Sequence, residues 1–427
     1  MNEDYLQYLW RYQRFDRPQL TCTSGRNLVV LFPGIWNRQA GPDFLEAKVR
    51  IGRQLWLGSV EVHTKSSEWR KHKHQEDRAY DNVILHVVYE DDEPLINESG
   101  QEVPTLVLKG LLEEEHYKQY CNFIQDLSVL PCSRRLNSLE SVHRSTWLHR
   151  MAIERLEQKV KAIEQLMLQY KNDWNAVWWH LLCRSFGFGL NHNAYDMFAS
   201  SLYWKQVAWL SNRAEDLEAL IAIQSGWYDL DNRLRGIRGM RSRYEHHQRM
   251  WGLEPVPPSA WHRGRVKPAN HPRVRLGQLH ALISHGFIQW RSVSDEPSID
   301  ALIESFKIRS SVAGLNLRST TGLSEPIGHR TIELLCVNAV IPMRFYSANW
   351  HQNQHEKDRM ILWMERLTAE NNRITRMWTD AGWKPKNMLD SQGHIHLFKN
   401  YCSQKKCLSC LVGIQLLNHQ YHDPTDT

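Results

Sequence analysis

Gly41-Pro42-Asp43-Phe44 and, beyond a turn at Gly52, Gly58-Ser59-Val60-Glu61-Val62-His63-Thr64-Lys65 are the stretches that decide the fold of the first hundred residues. Ala47 to Ile51 and Gln54 to Thr64 alternate in polarity around Gly52, which predicts a β-hairpin. Alternate residues of a strand share a face, so Val60 and Val62 are expected toward the core. Glu61, His63 and Lys65 then project together from the other face. Asp43 opens the first hairpin strand and Glu61 lies toward the end of the second, so the hairpin draws two carboxylates together. Outward from it, Tyr5, Leu6, Leu9 and Tyr12 have helical spacing and Leu28 to Leu31 reads as a short strand. Ser66 to Asp81 is polar, with room for a helix. Val83 to Tyr89 is apolar except for His86, as a central strand buried on both faces would be. The acidic stretch 90–101 reads as a loop, and Val103 to Leu108 adds a strand.

Two carboxylates beside a basic group suit a hard cation, Mg²⁺ or Mn²⁺, which polarises a phosphate and activates a nucleophile. The order helix, strand, hairpin with Pro42-Asp43 and Glu61-x-His63, helix, strand resembles the PD-(D/E)XK nuclease core. That resemblance implies that Asp43 and Glu61 hold the metal and that a basic residue past the glutamate assists the attacking water. The superfamily places a lysine two residues after the glutamate; here that position is His63, and the lysine follows at Lys65. At about 3.3 Å per residue, Lys65 stands about 13 Å along the strand from Glu61. His63 is closer, and a neutral imidazole accepts a proton or binds metal. The expected catalytic set is therefore Asp43, Glu61, His63 and Lys65. Trp69, His72, His74, Asp77, Tyr80, Asp81 and Asn82 crowd the next segment. His72-x-His74 reads as a transition-metal pair with no third ligand visible from spacing. With Asp77 it forms an alternative hydrolase site for a small substrate.

Gly41 to Phe44, Gly58 to His63, Ser67-x-Trp69, His72-x-His74, Asp77 and Tyr80 to Val83 resemble an uncharacterised bacterial family, the domain of unknown function 2851. Lys267 to Pro272 and the cysteine tail fit the same family, so the resemblance runs over nearly the whole chain. It implies no particular reaction.

Beyond residue 135 the periodicity turns helical. Leu148, Ala152, Leu156, Val160, Ile163 and Met167 recur every three or four residues, predicting an amphipathic helix. Further helices are expected over 174–183, 193–210, 214–225, 277–288, 298–306, 331–346 and 358–366. The fold class is α+β. A restriction-endonuclease-like α/β core over 1–110 precedes an all-α domain over 135–427, which carries a basic segment, 233–275, and a cysteine tail, 402–410. In the basic segment eleven Lys/Arg face two acids, Glu245 and Glu254, and Tyr244, Trp251 and Trp261 are interleaved. Arginines neutralise phosphates and indoles stack on unpaired bases. Arg263, Arg265, Lys267, Arg273, Trp251 and Trp261 are accordingly the candidate nucleic-acid contacts. No recognition-helix or RNP-type signature is present, so sequence-specific reading is not expected. Arg263 to Arg275, with Pro268 and Pro272, reads as an ordered loop.

Eight cysteines in 427 residues are too few for a secreted disulfide framework. Cys402-x4-Cys407-x2-Cys410 supplies three ligands for Zn²⁺ or a 4Fe–4S cluster, each of which takes four. Cys132, at the junction of the two expected domains, is the first candidate for the fourth; His396 and His419 are the alternatives. Hydrophobic residues at 42% and charged residues at 23% exclude a disordered or fibrous chain. A net charge of +6 leans only weakly toward anionic partners. No apolar run reaches membrane-span length, and Glu3, Asp4 and Arg11 exclude a secretion signal over Met1 to Phe15, so a cytoplasmic location is expected. The composition leaves 22 histidines and 18 tryptophans to account for. The functional expectation is a metal-dependent nuclease; a non-catalytic nucleic-acid-binding scaffold is the alternative.

Overall fold

The computed structural model describes all residues except 16–19, 38, 97–101, 113, 127, 265–269, 309–325 and 419–427. In chain order the first elements are α1 (Glu3–Tyr12), β1 (Leu20–Thr21), β2 (Asn27–Phe32), β3 (Ile35–Trp36), β4 (Phe44–Ile51) and β5 (Gln54–Lys65). They are followed by α2 (Glu68–Lys71), β6 (Val83–Glu90), β7 (Thr105–Val107), α3 (Glu114–Gln125) and α4 (Ser141–Gln169). The seven strands form one mixed sheet in the order β1-β2-β4-β5-β6-β7, with β3 also on β4. The pairs β1–β2, β2–β4, β3–β4 and β4–β5 are antiparallel, whereas β5–β6 and β6–β7 are parallel. Gly52, at φ 61°, closes the β4–β5 hairpin where the alternation predicts it.

β5 is central. Gly58 to His63 is buried without a break, as are Ile84 to Val88 of β6, so both strands are covered on both faces. The crossover between them is shorter in helix than the polar run 66–81 suggests. α2 makes one turn, Lys73 takes a left-handed conformation at φ 61°, and 3₁₀ turns follow at His74–Glu76 and Arg78–Tyr80. Asp77 caps the second of these by accepting from the Ala79 N–H at 2.9 Å, a local bond that competes with continued helix.

The chain divides into two compact units, Met1–Trp147 with Leu397–Thr427, and Leu148–His396. The cysteine tail thus belongs with the sheet rather than with the helical unit. The second unit is built on a large apolar core that includes Trp178, Trp179, Phe198, Leu220, Leu282 and Met343. Its expected helices are present, with instructive breaks. The run 193–210 divides into His192–Ser200 and Trp204–Leu210. The run 331–346 passes through a π turn at Cys336–Val340 before Ile341–Trp350. Pro342 removes an N–H from that helix, and the Lys159 ammonium donates to the Val337 carbonyl at 2.8 Å. Pro272, read from sequence as a loop residue, instead opens the helix Pro272–Ser284, where a missing N–H is harmless. Within the basic segment, Met240–Trp251 is also helical. No helix among the described residues is long and apolar enough to cross a membrane.

Candidate metal centre

A register shift in β4 sets the position of the first carboxylate. Phe44 pairs with Val60, but Ala47 pairs with Gly58, so one extra residue is inserted between them. Glu46 takes φ 58° there. Because strand side chains alternate, a one-residue bulge exchanges the faces on either side of it. Phe44 thereby joins the buried face of Ala47, Val49 and Ile51, and Asp43 turns to the face that carries Glu61. The two acids interlock through the backbone. Asp43 N–H donates to Glu61 Oε2 at 3.0 Å, and Val62 N–H donates to Asp43 Oδ2 at 3.1 Å. Gln7 of α1 donates its side-chain amide to Asp43 Oδ1 at 2.8 Å and to Glu3 at 3.3 Å.

The remaining oxygen of Glu61, Oε1, faces two histidines, and a third lies against the first of them. Oε1 lies 3.6 Å from His63 Nε2 and 3.4 Å from His74 Nε2, and His72 Nδ1 lies 3.3 Å from His63 Nε2. The ligand atoms of His63, His72 and His74 all fall within 4.8 Å of one another. Four ligands at about 2.0–2.1 Å from a single ion form a tetrahedron with edges of about 3.3–3.4 Å. Three of the separations, 3.3, 3.4 and 3.6 Å, are close to such edges. His86 of β6, opposite Glu61 in the parallel ladder, holds His63 Nδ1 at 2.9 Å and leaves Nε2 directed at the cluster. Such an outer partner fixes the orientation of a metal-binding imidazole. Tyr80 stacks on His74 with ring centroids 3.9 Å apart, and Trp69 packs edge-on against His74 and His86. His72 is exposed and is the face through which the cluster meets solvent.

The charges of this site are mutually unsatisfied. Burial, then the negative charge of Glu3, pushes the Asp43 carboxyl above the usual carboxylate range, against the pull of the Val62 N–H. Burial and the charge of Asp43 do the same to Glu61, and burial raises Glu3. Burial followed by neighbouring imidazoles pulls His63 down to about 3 and His74 down to about 4. His86 is lowered as well, chiefly by burial. Acids that resist losing a proton beside imidazoles that resist gaining one form a site short of positive charge. A cation placed here would supply that charge, and neutral imidazoles are the form that ligates one.

A family model described as a protein of unknown function (DUF2851) matches residues 3–373. The chain belongs to that family. The DUF2851 match spans α1, Asp43, Glu61 and all four histidines of the site, and ends before Cys402. No curated protein matches the chain, and no solved structure does.

The other expected residues of this DUF2851 member fall in different places. Lys65 is exposed and stands 3.8 Å from Asp92, away from the carboxylate pair. Asp77 is spent on its turn, so the third partner of His72 and His74 is His63 rather than Asp77. In the helical unit, Trp261 is buried, with its indole N–H on the Ser225 carbonyl at 2.7 Å. Arg273 is buried 3.1 Å from Asp231. Neither is presented for stacking or for phosphate, because the core uses the indole and an ion pair uses the guanidinium. Trp251 is half-buried and stacks on His247 at 5.0 Å, while Arg263 is exposed. Arg265, Lys267 and His419 lie outside the described residues. His396 faces Glu154 at 3.3 Å. Sequence reasoning missed Glu3 and Gln7, whose only signal is their i, i+4 spacing on the polar side of α1.

Proposed function

We propose that the N-terminal unit is a metal-dependent phosphodiester hydrolase acting on nucleic acid, with a transition ion held by His63, His72, His74 and Glu61. The observation that carries this reading is the gathering of the His63, His72 and His74 ligand nitrogens within 4.8 Å of one another, with Glu61 Oε1 3.6 Å from His63 and 3.4 Å from His74. Three nitrogens and one oxygen favour Zn²⁺ or another late first-row ion over the Mg²⁺ expected from the carboxylates alone; Mn²⁺ stays compatible. The phosphodiester part rests on the core order. A helix, an antiparallel run of three strands, a short helical crossover and a parallel strand follow the order that resembles the PD-(D/E)XK nucleases, with both acids on the hairpin. A bound ion of this class polarises a phosphate oxygen and lowers the pKa of a coordinated water. Asp43, adjacent to Glu61 and held by Gln7 and Val62, is the acceptor for the proton of the attacking water. His63, with one nitrogen on His86 and the other directed at the cluster, acts as a ligand rather than as that base. Gln7 and His86 are positioning residues.

The test is cleavage of single- and double-stranded DNA and RNA by the full chain with Mg²⁺, Mn²⁺ or Zn²⁺, alongside metal analysis of the purified protein. Asp43→Asn is expected to lower turnover about 10²–10⁴-fold, the range for loss of a positioned general base. Cleavage unchanged in both Asp43→Asn and Glu61→Gln would remove the site assignment. Stoichiometric metal without turnover on any nucleic acid would remove the substrate class.

A further inference from the structure

Four cysteines from two distant parts of the chain meet within the first unit. Cys132 precedes the 3₁₀ turn Ser133–Ser138, Cys402 and Cys407 each open a further 3₁₀ turn, and Cys410 precedes the helix Leu411–Asn418. Each of the four lies within electrostatic reach of the other three, and none is in a disulfide. The tail backbone is tightly folded around them. Lys405 N–H bonds to the Cys402 carbonyl at 3.0 Å, Lys406 N–H to Tyr401 at 2.9 Å and Cys410 N–H to Cys407 at 3.2 Å, with Lys405 left-handed at φ 54°. Burial raises the Cys410 thiol, against the pull of the Gly413 and Val412 N–H groups and the Trp147 indole. A neutral thiol is a weak acceptor, whereas a metal-bound thiolate is held by such N–H groups. Gly413 permits the arrangement, since a Cβ there would lie 2.2 Å from the Cys407 carbonyl oxygen.

Spacing selects the occupant. A single zinc ion with Zn–S bonds of about 2.3 Å draws its sulfurs to about 3.8 Å of one another. Among the described residues the histidine trio is the group of three or more ligand atoms gathered within 4.8 Å, so any three of these sulfurs include a pair farther apart than that. An iron–sulfur cube binds each sulfur to a different iron and holds the four wider apart. We propose that Cys132, Cys402, Cys407 and Cys410 ligate a [4Fe–4S] cluster that fastens the C-terminal tail to the N-terminal unit. This is independent of the reading of the histidine site.

Full-length protein purified without oxygen is expected to contain about four iron and four acid-labile sulfide per chain. Its visible charge-transfer absorption should bleach on reduction with dithionite. Cys132→Ala and Cys407→Ala should each lose the sulfide, whereas Cys183→Ala and His72→Ala keep it. A misfolded cysteine variant would lose the cluster for another reason, so a second arm strips the wild-type chain with chelator and rebuilds it with iron and sulfide. Return of the absorption with an unchanged circular dichroism spectrum supports the site. Zinc without sulfide, a Cys407–Cys410 disulfide, a metal-free chain, or sulfide retained in Cys132→Ala would each overturn it.

Discussion

His72 is the exposed member of the histidine trio, and this separates its chemistry from its contribution to folding. Its removal creates no cavity in a packed core, so His72→Ala is expected to match the thermal midpoint of the chelated wild-type chain within a few degrees while losing stoichiometric metal. Elemental analysis of the dialysed variant checks this, and a full equivalent of retained ion would sink the His72 assignment. His86 acts differently. It is buried and meets the cluster through His63 Nδ1, at 2.9 Å. Loss of an outer partner of this kind costs about 10–100-fold in metal affinity, so His86→Phe should weaken Zn²⁺ binding by that factor in calorimetric titration. Lys65 supplies the contrast. Paired with Asp92 at 3.8 Å and exposed, it is expected to be replaceable by alanine with less than about threefold change in turnover, far below the loss of a positioned acid or base. A Lys65→Ala loss comparable to that of Asp43→Asn would restore lysine to the mechanism.

Between the residue and the molecule, the element that matters most is the bulge in β4. Glu46 occupies a left-handed conformation at φ 58°, which a β-branched side chain tolerates poorly. Glu46 already bears the left-handed penalty, so Glu46→Val should destabilise the first unit by a further cost of about 1 kcal/mol from its β-branched side chain. It should also weaken metal binding, because the bulge is what turns Asp43 to the face of Glu61. Urea denaturation and metal titration of the same variant report both effects; unchanged affinity would mean that Asp43 is placed by other means. This bulge also marks the limit of what was legible in the chain. Alternation around Gly52 and the apolar run at Val83 revealed the hairpin and the central strand, because burial on one or both faces leaves a period in the sequence. The bulge leaves none: Leu45 and Glu46 are ordinary residues, and no glycine marks the turn of the strand. Spacing leaves His63 free either to accept a proton or to bind metal and does not join it to His72 and His74, because those two reach it through the left-handed turn at Lys73. Cys132 was reachable from sequence only as a guess about the junction. It meets the tail because the chain returns to the first unit after residue 396, a long-range contact with no local signature.

On the scale of the molecule, the two units are expected to answer to different solution conditions. The first carries the histidine cluster and the four thiols, so chelation should deprotect its peptides in hydrogen exchange; a ligand that binds only the folded state stabilises it by mass action. The second unit instead buries histidines that must stay neutral. His394 lies stacked on Trp378 at 5.0 Å and edge-on to Trp383 at 4.9 Å, and neither ring nitrogen has a hydrogen-bond partner among the described residues. Burial lowers it to about 3, and burial first, then nearby His285 against the Ala214 carbonyl bond, lowers His280 to about 4. In the unfolded chain both titrate near the ordinary value of about 6.5. Between that value and their folded values the unfolded state binds protons that the folded state refuses. Stability is therefore complete above about pH 6.5 and falls as the pH drops toward 4 and then 3. The His280 shift alone corresponds to roughly 3 kcal/mol by the bottom of its window. Exchange protection of peptides from 148–396 should decline from pH 6.5 to pH 4, and His394→Leu should reduce that decline, since it deletes one titration and gives up no hydrogen bond. The comparison needs exchange rates corrected for the intrinsic pH dependence of amide exchange. If His394→Leu follows the wild-type profile throughout, the buried imidazole is not what makes the second unit acid-labile, and His280 becomes the residue to replace.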